Sequence, residues 1–394
     1  MNLFSRLISA TILSLSASAS LAQTAPCGGN FNAFMQQVGQ EARAQGLPQN
    51  AINAVILAAR QDAKVLRFDR AQGVFRQTFL QFSQRAISGS RLRIGAQKLA
   101  QFSDVFARAE REYGVPPEVI LAFWALETDY GAVQGDFNTV SALATLAHDC
   151  RRPDLFRPEL FAAIALTAEG DLDPATTTGA WAGEIGMVQM LPEDILTKGV
   201  DGDGDGHVRL KTSAPDAIMT AARLVADLGW RGGEPWLVEV TVPENFPWEE
   251  TGLDKKKSVA DWARLGVEAR STMPARRMQA SVFAPQGRRG PVFMSLPNYA
   301  VYQEWNKSFV YQTTVAYMAT RLGGGQRYVQ TTPESGLDDD QMKRLQRMLQ
   351  DRGYDVGGAD GILGAKTRAA VQAEQLRLGI AADGWPTPAL LARY

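Results

Sequence analysis

The sequence is poor in histidine and cysteine, with two of each among 394 residues. His148 and His207 are too few to supply the ligands of a catalytic zinc ion, and no cysteine cluster replaces them. The same scarcity leaves no Cys–His pair for nucleophilic catalysis. This argues against a zinc-dependent amidase, and any chemistry must come from other side chains.

The sequence also lacks an excess of charge of one sign. Its 41 lysines and arginines face 42 aspartates and glutamates, which leaves a formal net charge of -1. A balanced chain has no long-range field that would attract nucleic acid or an anionic membrane surface. We therefore expect no nucleic-acid partner, and any ligand must be recognised by a specific site.

No apolar run reaches the roughly 18 residues that a membrane span needs. The first residues combine a charged Arg6, a short apolar stretch over Leu7–Leu15 and a small residue at Ala22. This pattern predicts a signal peptide over 1–22 and a periplasmic location. A buried first helix or a membrane anchor is the alternative, but serines and a threonine interrupt the apolar stretch.

The two cysteines are Cys27 and Cys150. In an oxidising compartment an even pair more often forms a bridge than two free thiols, so we predict a disulfide between them. Pro26 precedes Cys27 directly, which does not fit the small-residue pattern of a lipoprotein. The exported chain is therefore expected to be free of a lipid anchor.

Apolar periodicity divides the mature chain into two parts. Residues 31–228 repeat apolar positions at helical spacing, whereas 236–294 contain short β-type runs, and a helical stretch follows over Tyr299–Leu322. Consecutive glycines and polar residues then predict a linker. The predicted segments are a large domain over 27–325, a linker over 326–337 and a small helical module over 338–394. The fold class is mainly α with a small β-containing region.

Glu127 interrupts an otherwise apolar helix. Pro116-Pro117 marks the start of this helix, Val119–Leu126 are apolar on every face, and Gly131 should end it. Burial and the nearby C-terminal end of the helix both raise the pKa of a carboxyl, which suits a general acid. The alternative is that Glu127 satisfies a buried hydrogen bond or pairs with an arginine.

Two segments carry a family resemblance. Glu127–Gly131 resembles the Glu-Thr/Ser-x-Tyr/Phe-Gly signature of lytic transglycosylases, and Gly179–Pro192 resembles the Gly-x-Trp-Ala-Gly-x-Met-Gly-x-x-Gln-Phe-Met-Pro stretch of the membrane-bound lytic transglycosylase B family. The resemblance implies that Glu127 is the catalytic acid/base. It also implies that Tyr130, Trp181 and Gln189 bind sugar, since an indole can stack on a sugar ring and an amide can hydrogen-bond it.

Two later segments extend the resemblance. Asn298-Tyr299 and Trp305–Tyr311 resemble the closing Asn-Tyr and Tyr-Asn-x-Ser-x-x-Tyr pattern of that family, with Trp305 in place of its first tyrosine. The resemblance implies that Asn298, Asn306 and Tyr311 bind substrate. Residues 338–394 are similar to the small peptidoglycan-binding domain, with Glu374 where that domain usually has phenylalanine.

An acidic segment at Val200–His207 resembles both the same family and the opening of an EF-hand calcium loop. Carboxylates at alternate positions followed by glycine suit calcium, but Thr212 stands where the loop would supply its bidentate glutamate. We expect a bound structural calcium rather than a plain acidic turn. The predicted ligands are Asp201, Asp203, Asp205, His207 and Asp216.

Taken as a whole, the resemblance implies a lysozyme-like α+β catalytic domain joined to a three-helix peptidoglycan-binding module. The implied reaction cleaves the β-1,4 bond between N-acetylmuramic acid and N-acetylglucosamine and leaves a 1,6-anhydro end, with no cofactor for catalysis. The implied partners are peptidoglycan glycan strands and proteins of cell-wall assembly.

Two other functions stay open. A hydrolytic muramidase would usually need a second carboxylate, for which Asp136, Asp171 and Glu184 are candidates. A non-catalytic wall-binding scaffold is the other, and the departures from the family pattern at Met187 and Glu193 keep it open.

Overall fold

A computed structural model describes residues 26–71 and 77–394. The predicted signal peptide lies outside these residues. Among the helices of the described residues, none is long and apolar enough to cross a membrane.

The first part of the described chain is helical. Its helices are α1 (Phe31–Ala44), α2 (Gln49–Ala58), α3 (Ala63–Arg70), α4 (Phe79–Ala86), α5 (Gly89–Gln101), α6 (Ser103–Tyr113), α7 (Pro117–Thr128), α8 (Thr139–His148), α9 (Pro153–Glu169), α10 (Pro192–Lys198) and α11 (Ala214–Asp227). Two short antiparallel strands, β1 (Phe137–Asn138) and β2 (Thr178–Gly179), pair between these helices.

A five-stranded antiparallel sheet follows, made of β3 (Leu237–Thr241), β4 (Lys257–Ser258), β5 (Glu268–Ala269), β6 (Gln279–Phe283) and β7 (Val292–Ser295). The strands lie in the order β4-β6-β7-β3-β5, and helix α12 (Val259–Arg264) connects β4 to β5. Val238 pairs with Met294 in its centre, and Trp262 is fully buried beside it. The β-type character predicted for 236–294 is therefore present, and β3 and β7 lie side by side in the sheet.

Helix α7 lies at the centre of the helical body. Its residues from Val119 to Ala125 are at most 1% exposed. Helices α5, α6 and α11 pack around it, together with the later helix α14 (Phe309–Leu322). Burying large side chains such as Phe123 and Trp124 stabilises the fold by roughly 1.5–3 kcal/mol each. A helix enclosed on every face cannot rotate, so the direction of the Glu127 side chain is fixed by the core.

The predicted helical stretch over Tyr299–Leu322 is in fact two helices. Helix α13 (Tyr299–Trp305) ends at Asn306, which adopts an extended backbone, and α14 (Phe309–Leu322) begins after Ser308. The Asn306 side chain accepts a hydrogen bond from the Ser308 amide at 2.9 Å. Asparagine competes for backbone hydrogen bonds in this way, which explains the break.

Cys27 and Cys150 form a disulfide with their Cα atoms 5.3 Å apart. The Gly28 amide next to the bridge donates to the His148 carbonyl at 2.8 Å. The start of the described chain is therefore attached to the end of α8.

The C-terminal module contains α15 (Asp339–Asp351), α16 (Ala365–Arg377) and α17 (Pro388–Leu391). Leu345, Leu349 and Val371 form its small core. The predicted fold class, a mainly α lysozyme-like domain with a small β region and a three-helix module, is confirmed.

Glu374 is a buried charge at a position where the sequence resemblance predicts phenylalanine. The carboxylate is fully buried and pairs with Arg352 at 3.1 Å and Arg377 at 2.5 Å, while the Tyr354 hydroxyl donates to it at 3.0 Å. The hydrogen bond from Arg377 is the largest cause that lowers the pKa of Glu374, from 4.5 to about 2. Two arginines therefore compensate this buried charge.

We expect Glu374→Gln to lower the opening free energy of α16 by about 2 kcal/mol at pH 7, because it weakens hydrogen bonds to a charged acceptor. A depressed pKa stabilises the folded state above about pH 4.5, and this stabilisation is lost as the pH falls towards 2. Native-state hydrogen exchange of the α16 amides measures this energy. The difference in opening free energy between wild type and variant should become smaller below pH 4.5. The control Asp351→Asn, at an exposed site, should match wild type. A difference that does not change with pH would contradict the prediction.

Candidate active site

Glu127 lies in the last turn of α7, immediately before a sharp change of direction. The next residues, Asp129, Tyr130 and Gly131, have φ angles of 52°, 59° and 88°. Three consecutive residues in the left-handed region end the helix and turn the chain away from the carboxyl. The helix therefore ends at Thr128, three residues before the end predicted at Gly131.

Two hydrogen bonds reach the same oxygen of Glu127. The Trp305 indole N–H donates to Oε1 at 2.9 Å, and the Tyr311 hydroxyl donates to Oε1 as well. Phe123 stacks on the Trp305 ring, with centroids 4.0 Å apart. The last turn of α7 and the α13–α14 junction therefore meet at this carboxyl.

Burial raises the pKa of Glu127 above its usual range. The hydrogen bonds from Tyr311 and Trp305 oppose this change, and the neighbouring charge of Glu184 adds to it. The pKa of Tyr311 is itself raised by burial, so its hydroxyl remains a proton donor. The balance favours a protonated Glu127 at a higher pH than an ordinary glutamate allows, as a general acid requires.

The glycine-rich segment 179–190 packs against the end of α7. Thr128 connects the two: its hydroxyl donates to the Met187 carbonyl at 2.6 Å and accepts from the Gly131 amide at 2.9 Å. At Gly179, a Cβ would lie 2.0 Å from the Glu184 carbonyl oxygen, so only glycine fits. This tight turn sets one side of the site.

Two predicted substrate-binding residues are buried. The Tyr130 side chain is buried and its hydroxyl donates to the Arg91 carbonyl at 3.0 Å. Asn298 is 0% exposed; its side-chain oxygen accepts a hydrogen bond from the Arg231 amide at 2.7 Å, and its side-chain nitrogen donates to the Glu234 carbonyl at 2.8 Å. The polar atoms of both residues are thus hydrogen-bonded to the protein backbone, and their binding of sugar stays a prediction.

Of the other predicted binding residues, three are partly exposed and one is buried against Glu127. Trp181, Gln189 and Asn306 are half-buried. Gln189 donates to the Gly186 carbonyl at 2.9 Å, and Tyr311 contacts Glu127 rather than open space. Trp305 donates a hydrogen bond to Glu127, although it was not among the site residues predicted from the sequence. Its position in the family pattern, where a tyrosine is expected, could have indicated this role, because an indole N–H can replace a hydroxyl as a donor.

The acidic loop gathers three of the five predicted metal ligands. Carboxylate oxygens of Asp201, Asp203 and Asp205 lie within 4.8 Å of one another. His207 instead pairs with Asp171 at 2.6 Å, and the buried Asp216 accepts backbone hydrogen bonds from Gly202 and Arg209. In the described structure His207 and Asp216 therefore lie outside this converging group, and their role as metal ligands stays a prediction.

The candidates for a second carboxylate differ in position. Asp136 is exposed and Asp171 is paired with His207. The charge of Glu184 raises the pKa of Glu127, and its Oε2 is buried with no hydrogen-bond partner among residues 26–71 and 77–394. Of the three, Glu184 alone affects the pKa of Glu127.

Two family models match the chain. The model described as "Transglycosylase SLT domain" matches residues 30–320, and the model described as "Putative peptidoglycan binding domain" matches residues 338–393. The chain belongs to the SLT transglycosylase family. The family resemblance predicted from the sequence, including the C-terminal peptidoglycan-binding domain, is therefore confirmed.

Solved structures and a curated relative agree with this assignment. The SLT family member SltB3 from Pseudomonas aeruginosa, solved in complex with NAG-anhNAM-pentapeptide, has a TM-score of 0.86 and 34% identity over 93% of this chain and 99% of its own. The Escherichia coli lytic transglycosylase Slt35, solved in complex with calcium, has a TM-score of 0.64 and 26% identity over 77% of this chain and 97% of its own. The Escherichia coli membrane-bound lytic murein transglycosylase B is 28% identical over 60% of this chain, which spans 65% of that relative's length.

We expect Tyr311→Phe to raise the pKa of Glu127, because a hydrogen bond donated to the charged carboxylate favours that form and its removal disfavours it. Carbon-13 NMR of labelled glutamate carboxyls measures this pKa. Tyr302→Phe is the matched control, since the Tyr302 hydroxyl has no partner within the described chain. An unchanged or lowered pKa in the Tyr311 variant would contradict the prediction.

Proposed function

We propose that the chain is a lytic transglycosylase that cleaves the β-1,4 bond between N-acetylmuramic acid and N-acetylglucosamine in peptidoglycan. The observation that carries this proposal is Glu127, a carboxyl of raised pKa held by two hydrogen bonds in a family that is named for this reaction. Residues 27–325 form the catalytic domain, 326–337 the linker and 338–394 the wall-binding module. Export to the periplasm by residues 1–22 places the enzyme with its substrate.

Glu127 performs both proton transfers of this reaction. Its carboxylic acid protonates the oxygen that joins the two sugars, and the bond from that oxygen to C1 of the muramyl residue breaks. The resulting carboxylate then removes the proton from the muramyl C6 hydroxyl, whose oxygen attacks C1. The proton returns to Glu127, the product carries a 1,6-anhydro ring, and no water is consumed.

The two oxygens of Glu127 have different surroundings. Trp305 and Tyr311 both donate to Oε1, whereas Oε2 has no hydrogen-bond partner in the described part of the chain. The transferable proton therefore resides on Oε2, and the two donors stabilise the negative charge that stays on the carboxylate after transfer.

A hydrolytic muramidase is the second candidate, and Glu184 is the observation that favours it. A carboxylate coupled to the acid could hold a water molecule or stabilise positive charge at C1. A non-catalytic scaffold receives less support, because a scaffold would have no need for a buried acid with two aligned donors. Peptidoglycan glycan strands are the proposed partner in either case, with proteins of cell-wall assembly beyond them.

We further propose that the acidic loop binds a structural calcium ion, with no cofactor required for catalysis. Asp201, Asp203 and Asp205 offer three converging carboxylates, and the oxygen donors suit calcium. Arg209 pairs with Asp205 at 3.1 Å and compensates part of this charge. The ion would stabilise the loop between α10 and α11.

Calcium is expected to raise the Tm of the mature protein by a few degrees, because a ligand that binds only the folded state stabilises it. Asp203→Asn combined with Asp205→Asn should abolish the increase, while Glu169→Gln, at an exposed acid outside the loop, should preserve it. Differential scanning calorimetry with calcium and with chelator measures the shift. An identical Tm under both conditions would argue against a structural ion.

For the reaction itself, Glu127→Gln is expected to reduce turnover of purified peptidoglycan by at least about a thousandfold, since an amide can neither donate nor accept the proton. Mass spectrometry of the sugar ends identifies the product. Asp129→Asn is the matched control, because Asp129 lies two residues away and pairs with Arg91 at 2.8 Å.

Three outcomes would contradict parts of this proposal. Reducing ends instead of anhydro ends would identify a hydrolase. Undiminished anhydro product from Glu127→Gln would refute the role of Glu127. No product from the wild-type protein would favour the scaffold.

A further inference from the structure

Helix α16 of the C-terminal module faces the large domain. The Gln372 side-chain amide donates to the Trp248 and Thr251 carbonyls, at 2.9 Å each, and its oxygen accepts a hydrogen bond from Lys255 at 2.5 Å. On the following loop, the Asp383 carboxylate accepts from the Arg288 amide at 2.9 Å. These bonds hold the module in one orientation against the β region.

The C-terminal module and the β region also approach each other closely. A Cβ on Gly287 would lie 2.7 Å from the Trp385 Cβ, and Gly287 has a φ of 74°, so this approach requires glycine. The Trp385 indole N–H donates to the Glu334 carbonyl at 3.0 Å. Backbone and ring therefore fit together as they do inside a domain.

Arg368 is the charged residue at the centre of this contact. Its guanidinium carbon lies 4.3 Å from the centroid of the Phe309 ring, and one of its terminal nitrogens donates to the Pro285 carbonyl at 2.8 Å. Its Nε is buried without a hydrogen-bond partner among the described residues. Burial lowers the pKa of Arg368 to about 10, which leaves it charged at neutral pH. The Phe309 ring face is thus a principal partner of this cation.

Phe309 connects this contact to the acid. It is the first residue of α14, and Tyr311, two residues later, donates to Glu127. On the other side, the break at Asn306–Ser308 joins Phe309 to Trp305, the second donor. Phe309 also meets the Phe283 ring edge-on at 5.7 Å, so Arg368 presses it against the β region.

We propose that Arg368 is a positioning residue of the catalytic site: by packing on Phe309 it fixes the start of α14, and with it the two donors to Glu127. This inference rests on the proposed function. It makes the wall-binding module a structural part of the catalytic centre in addition to any role in binding the wall.

The expected effect follows from the hydrogen bonds. Without the cation on its ring, Phe309 is held less firmly, and the distances from Trp305 and Tyr311 to Glu127 become more variable. Weaker donation to the carboxylate raises the pKa of Glu127. Tyr311 and Glu184 are the titratable groups that face Glu127 in the described chain, and neither contacts Arg368.

The test uses full-length mature protein and a soluble, uncrosslinked peptidoglycan oligosaccharide, so that anchoring to an insoluble wall cannot affect the rate. Arg368→Met is expected to lower kcat about tenfold, because small misplacements of catalytic groups are costly, with little change in KM. The basic limb of its pH–rate profile should move to higher pH. Arg368→Lys should restore part of both, and Arg347→Met, at an exposed arginine on α15, should match wild type.

Phe309→Leu provides an independent route if Arg368→Met does not fold, since it removes the ring but retains an apolar side chain. It should reproduce the fall in kcat and the shifted pH limb. Wild-type kcat and pH profile in a folded Arg368→Met or Phe309→Leu variant would overturn the inference. Absence of turnover in the wild-type protein would instead refute the proposed function, so the two failures are distinguishable.

Discussion

The candidate active site depends on one oxygen atom, Oε1 of Glu127, which accepts hydrogen bonds from residues 178 and 184 positions later in the chain. Such a contact exists only if α7 and the α13–α14 junction are held in a fixed relation. The apolar surface of α7 provides that relation, because α14 packs along it and Phe123 stacks on Trp305. The packing of the core therefore sets the hydrogen bonds that influence the pKa of Glu127.

Sequence patterns predicted the features that depend on local structure. The apolar run before Glu127 indicated a buried helix with a carboxyl at its end, and the glycine-rich and β-type runs appear near their predicted positions. The sequence patterns did not predict the contacts between residues that are distant in the chain. Asn298 and Tyr130 have polar groups that suit sugars, but residues far along the chain bond them instead. The donor role of Trp305 is equally invisible without the position of α7.

The acidic loop illustrates the same distinction. Alternating aspartates predict converging carboxylates, and three of them do converge, because their spacing alone brings them together in a turn. The placement of His207 and Asp216 depends on three-dimensional surroundings, in which His207 pairs with Asp171 and Asp216 accepts hydrogen bonds from backbone amides. In the C-terminal module, likewise, the helices were predictable, whereas its attachment through Gln372 and Arg368 was not.

The bridge between Cys27 and Cys150 closes a loop with a sequence separation of 123 residues, and that loop contains α7 with Glu127. Closing a loop of this size removes conformational freedom from the unfolded chain, a stabilisation of roughly 4–5 kcal/mol in the chain-entropy model. A chain kept in a reducing compartment lacks this covalent closure. The redox state of its surroundings therefore determines how firmly the catalytic core is held, which ties the full stability of a wall-degrading enzyme to an oxidising environment.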